Sequence, residues 1–186
     1  MVTRDQIISS AIRHLNADPT ASMAEIGEAA GVSRATLHRH FPSRDALMEV
    51  LGQRALDGWE RALDLAGIES ATESEDPERI VATMRTLIDL IVRDAEEHEF
   101  VLTEHLMLRF PDFVARSAEL ENREVDFYRA AQRCGVLRSD LPARWIAGVV
   151  YGLLVAACAC LRRGDIGRRE IDRLLLETFL HGSIAK

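Results

Sequence analysis

Residues 33–44 hold three arginines (Arg34, Arg39 and Arg44) and two histidines (His38 and His40), with no acidic residue among them. Arginine offers a planar fork that fits a phosphate or the paired acceptors of a guanine edge. Arg34 and His38 are four apart, as are Ala35 and Arg39, so on a helix each pair stacks on one side. The chemistry this pattern suits is recognition of a polyanion. The chain as a whole argues the other way, because 23 Lys and Arg against 30 Asp and Glu give a formal net charge of -7. A small basic module on an acidic body reconciles the two.

Other chemistries find less support. Gly31-Val32-Ser33-Arg34-Ala35 half-matches a nucleophile elbow, but no strand precedes it. No glycine-rich phosphate cradle is present. His98-Glu99 and Glu104-His105 could be metal ligands, yet a charged helix junction with one histidine partly buried explains them more simply. No metal, cofactor or catalytic set is therefore expected. The three cysteines form no CxxC pair and fit a reducing, cytoplasmic interior. The first residues lack an apolar targeting segment, and the uncharged run 145–161 is short of the roughly 20 residues of a membrane span. A buried helix is expected there.

The elements that must carry the basic segment all read as helix. Thr3 with Gln6, and Ser22 with Glu25, are capping boxes opening the first two helices. Gly31 suits a helix C-terminus that needs positive φ. Ser33 caps a third short helix anchored by Leu37, closed by Phe41-Pro42, and Ser43 caps a long fourth. Gly27 and Ala30 are small where the second and third helices must cross closely, so the pair reads as a helix-turn-helix. Segment 67–76 lacks periodicity and is expected to be a linker or loop. Helices are then expected over 77–97, 99–109, 111–133, 143–163 and 167–181, in an all-α chain divided into domains at 1–48 and 49–186.

Ile26-Gly27-Glu28-Ala29-Ala30-Gly31-Val32-Ser33-Arg34-Ala35-Thr36-Leu37-His38-Arg39-His40-Phe41-Pro42-Ser43-Arg44-Asp45-Ala46-Leu47 resembles the DNA-binding signature of the tetracycline-repressor (TetR) family. The resemblance is specific over about the first 50 residues; beyond them only length and helical character agree. Gly27 stands where the family usually has alanine, His38 where it has tyrosine, and Arg44 where it has lysine. The candidate DNA-binding residues are Ser22, Ser33, Arg34, Ala35, Thr36, His38, Arg39, His40 and Arg44. Thr36 and Arg39 are expected near base edges or phosphates, and Ser33, His38, His40 and Arg44 mainly at phosphates.

The resemblance implies a ligand-responsive repressor that binds a palindromic operator as a homodimer and is released by a small molecule. Two rivals are a chromosome-organising DNA-binding protein on the same fold and a helical metal-dependent enzyme. Gly148, Gly152, Ala156 and Cys160 recur every fourth residue, a smooth ridge for close helix packing. With Leu175 and Phe179 they form the candidate dimer interface. In the helix from Pro111, Glu124 interrupts a stripe of Phe113, Ser117, Leu120, Phe127, Ala131 and Cys134. A carboxylate there needs a cation or a donor. It is expected either to meet a structural arginine such as Arg85 or Arg93, or to face a ligand. The candidate ligand pocket comprises Met84, Leu87, Ile88, Ile91, Leu106, Leu120, Glu124, Phe127, Tyr128, Trp145 and Val149.

Overall fold

The computed structural model describes residues 2–183, and among them every regular element is helical. In chain order these are α1 (Arg4–Ala17), α2 (Met23–Ala29), α3 (Arg34–His40), α4 (Arg44–Ala66), α5 (Ile68–Ser74), α6 (Pro77–Glu97), α7 (Glu99–Thr103), a 3-10 turn (His105–Arg109), α8 (Pro111–Arg133), α9 (Ala143–Arg163), a 3-10 turn (Arg168–Glu170) and α10 (Ile171–Ser183). The chain divides into two compact units. The first is Met1–Asp57 with Glu97–Ala115, and the second is Gly58–Glu96 with Arg116–Lys186. The division falls inside α4 rather than at residue 48. Segment 97–115 joins the front unit because Phe100 and Met107 are part of its core.

The first unit is built on local signals that agree with one another. Both capping boxes form: Thr3 accepts from the Gln6 amide at 3.2 Å and Ser22 from the Glu25 amide at 3.3 Å, with each N3 side chain returning to its cap. Ile7, Ile8, Ala11 and Leu15 of α1 bury against Ile26, Leu37, Phe41, Leu47 and Leu51. The Ser10 hydroxyl donates to the Ala29 carbonyl at 2.9 Å, which fixes α1 on α2. Asn16 grips the other end: its amide donates to the Glu97 carbonyl at 2.8 Å, and its oxygen accepts from the Phe100 amide at 3.1 Å. Both orphan groups at the α6–α7 corner are thereby satisfied.

The second unit contains a helix where the sequence suggested a loop. Gly67 adopts φ 72° and starts α5, whose Ile68 and Ala71 are fully buried. Two inward residues are enough for a seven-residue helix that leans on its neighbours. Arg123 of α8 clamps this region, reaching Asp64 at 2.5 Å and Glu69 at 2.6 Å, while Arg116 reaches Glu60 at 2.6 Å. α9 also differs from expectation. Ile146, Ala147, Val150, Leu154 and Cys158 are buried, but Trp145, Gly148, Tyr151, Gly152 and Ala156 are exposed. α9 is long and apolar enough to cross a membrane by length and composition.

Candidate nucleic-acid interface and effector site

α3 is the element that presents the basic residues. Gly31 turns the chain at φ 66°, a backbone position that disfavours any side chain. Val32 then donates back to the Gly27 carbonyl at 2.9 Å. A Cβ on Gly27 would meet Leu37 Cδ2 at 3.4 Å, ordinary contact, so the usual alanine would also fit. Ser33 caps α3 by accepting from the Thr36 amide at 3.2 Å, and its hydroxyl donates to the Thr36 hydroxyl at 3.0 Å. Leu37 anchors the helix with no exposure.

That anchoring turns Ser33, Arg34, Ala35 and Arg39 outward, with Thr36, His38 and His40 half-buried. Among the described residues neither Arg34 nor Arg39 has an acidic partner. Two guanidinium groups on one face of a short helix, beside its capped N-terminus, form an anion-seeking surface. His38 Nδ1 lies 3.3 Å from the Pro42 carbonyl. With the hydrogen on that nitrogen, Nε2 is left as the ring's second hydrogen-bonding atom. Ser22 is exposed and binds Glu25 at 2.7 Å.

Arg44 makes a structural contact that sequence reasoning missed. Its guanidinium donates to the Ala21 carbonyl and, at 3.0 Å, to the Pro19 carbonyl. It therefore ties the first turn of α4 to the α1–α2 connection. No local signal could reveal a contact across 23 residues.

In the second unit the stripe on α8 is largely as expected: Leu120, Phe127 and Ala131 are buried, and so is Glu124 at 6% exposure. Among the described residues no arginine pairs with it. Arg85 is exposed, and Arg93 pairs with Asp89 at 2.9 Å. The Trp59 indole N–H on α4 donates to Glu124 Oε1 at 3.4 Å. Burial pushes the Glu124 carboxyl up to about 7, the indole opposing this and the Glu121 charge adding to it. Tyr128 sits one turn on, 1% exposed, and burial with the Glu124 charge keeps its phenol protonated.

Met84, Leu87, Ile88 and Ile91 are buried in the same unit, and Val149 is half-buried. Two candidate pocket residues lie elsewhere. Trp145 is 62% exposed on α9, and Leu106 packs on the core of the first unit. Two candidate interface residues are also corrected. Leu175 and Phe179 are 3% and 1% exposed, and the Phe179 ring lies 6.2 Å from Tyr128, so both are core. Gly148, Gly152 and Ala156 are exposed, and Cys160 is half-buried beside Arg163. His98 is buried while His105 is exposed, so those two do not share a site.

Comparison with known proteins agrees with this geometry. The family model described as bacterial regulatory proteins, tetR family, matches residues 7–51. The HTH-type transcriptional regulator NfxB of Pseudomonas aeruginosa is 27% identical over 98% of this chain and 96% of its own. The HTH-type transcriptional repressor LfrR of Mycolicibacterium smegmatis is 26% identical over 93% of this chain and 86% of its own. The crystal structure of LfrR in complex with proflavine matches the fold with a TM-score of 0.75, covering 98% of this chain and 97% of that one at 24% identity.

Proposed function

We propose that the chain, whose residues 7–51 match the tetR family of bacterial regulatory proteins, is a DNA-binding transcriptional repressor of the cytoplasm that acts as a homodimer on a palindromic operator. The observation that carries this reading is α3: a Ser33-capped helix whose Arg34 and Arg39 face outward without acidic partners. α3 enters the major groove, with Thr36 and Arg39 at bases or phosphates and Ser33, His38 and His40 at phosphates. The protein acts by binding and not by catalysis. The exposed ridge of α9, centred on Gly148 and Gly152, meets the same ridge of a second copy.

The effector is an apolar cation received at Glu124. Supporting this are a buried carboxylate without a cation of its own and a relative whose repressor is known in complex with proflavine, a planar cation. Release requires the effector to prefer a conformation in which the two heads no longer fit the operator. Trp59 is well placed to transmit it, because it touches Glu124 from α4, the helix that begins at the DNA-binding head.

Selection from random-sequence DNA tests the reading, with a palindrome as the expected product. Arg39→Ala should weaken binding to that palindrome by about 1–3 kcal/mol and flatten its preference at one position of each half-site. If the purified protein held random DNA as tightly as any selected sequence, a chromosome-organising role would replace the repressor. Arg44→Ala should lower the salt slope by about one unit and also lower the melting temperature, since it removes the ties to Ala21 and Pro19. Full stability with full operator affinity would show that neither role holds.

A further inference from the structure

The chemistry around Glu124 goes further than a binding site for a cation. The carboxylate is 6% exposed, and among the described residues the one hydrogen bond it accepts is the long one, 3.4 Å, from the Trp59 indole. The charge that acts on it most directly is negative, that of Glu121, and the helices of this unit carry further acidic groups. On α8 itself, Glu121 is held by Arg144 of α9 at 2.6 Å, and Tyr128 is a buried neutral phenol. On α4, Glu60 is taken by Arg116 and Arg123. On α6, the Asp94 carboxylate lies against Gly58, the neighbour of Trp59. A buried carboxylate so placed gains little from ionising, and a proton is the smallest cation that can neutralise it.

We propose that Glu124 exchanges a proton for the effector: the cation binds the ionised carboxylate, and the proton that Glu124 held is released to solvent. The exchange conserves charge in the site. The carboxylic acid and the free cation become a carboxylate–cation pair and a solvated proton, with no bond to carbon made or broken. This rests on the reading that Glu124 receives the effector, and it makes the repressor's sensitivity depend on pH. Effector affinity rises with pH below neutrality, because the proton competes, and levels off above it. The carboxyl value of about 7 sets where the levelling occurs.

Calorimetric titration with proflavine, a cation throughout the range used, tests the exchange. Repeating the titration in buffers of different ionisation enthalpy counts the protons released. Near pH 6 close to one proton should leave per proflavine bound, and near pH 8.5 almost none. Apparent affinity should rise up to about tenfold per pH unit in the acid range. Glu124→Gln should abolish both the proton release and the pH slope. Infrared difference spectra give an independent readout: the carboxylic-acid carbonyl band of the free protein at pH 6 should vanish on adding proflavine and be missing from Glu124→Gln. Proflavine binding without proton release near pH 6 would overturn the exchange and leave the effector reading standing. Proton release that persists in Glu124→Gln would overturn the assignment to this residue. No binding of proflavine at any pH, with the acid band titrating normally, would overturn the effector reading and the exchange with it.

Discussion

Glu124→Gln raises the unfolding free energy at pH 8 by about 3 kcal/mol and leaves it nearly unchanged at pH 4. The direction follows from where the proton resides. Burial lifts the folded-state value to about 7 from the ordinary 4.5. Between those two values the folded chain keeps a proton that the unfolded chain has lost. Stability from this residue is therefore complete below the unfolded value, declines as pH rises through about 7, and stays low above it. Glutamine cannot ionise, so the decline disappears. Its amide oxygen can still accept from the Trp59 indole, which preserves the one bond that the carboxylate makes. Urea unfolding of both proteins at the two pH values measures the difference. A variant less stable than the parent at pH 8 would mean that the carboxylate is held by a favourable partner there. If Glu124 receives the effector as proposed, the same substitution also costs effector response, and the residue then trades stability for recognition.

How much of this could be read from the chain alone depended on the range of the interactions. The head was legible because its signals are local: Thr3 with Gln6, Ser22 with Glu25, Gly31 after α2 and Ser33 before α3 lie within three residues of the groups they serve. Position 124 was legible as an anomaly, since helical spacing alone put a carboxylate on a buried stripe. Its partner was not legible, because Trp59 lies 65 residues away in sequence. The structural contact of Arg44 was hidden the same way: a basic residue at a helix start suggests a phosphate, and only the fold shows its ties to the carbonyls of Pro19 and Ala21. Helix α5 was hidden by its composition, with Ile68 and Ala71 among serine, threonine and glutamate. On α9 and α10 the difficulty was different. Apolar residues cover so much of both helices that periodicity cannot separate the face turned to the core from the face left open. Leu175 and Phe179 were therefore placed on the wrong side, whereas the glycines of α9 were placed on the open one.

That open face supports the second large effect. On the proposed homodimer reading, Gly152→Leu is expected to convert dimer to monomer and to lower operator affinity by about 10²–10⁴-fold, the factor lost when two linked half-site contacts become independent. A Cβ at Gly152, or at Gly148, would meet nothing within 4 Å among the described residues. Leucine therefore fits the folded protomer, and replacing a mid-helix glycine should stabilise α9 by up to about 1 kcal/mol. A loss of assembly with the fold kept would therefore point to a contact outside the protomer. Trp145 and Tyr151, 62% and 50% exposed, stand on the two sides of the glycine pair at helical spacing. Between them the backbone of a second α9 could approach to the roughly 8 Å that small residues permit. A leucine in that gap holds the helices apart and strips contact from both aromatic side chains. Sedimentation velocity at micromolar concentration reads the mass, and circular dichroism melting reads the fold. Monomer mass with a melting temperature still showing a folded protomer is the expected pair of results. An intact dimer with full operator affinity would place the interface elsewhere on the molecule and leave the exposed face of α9 without a role.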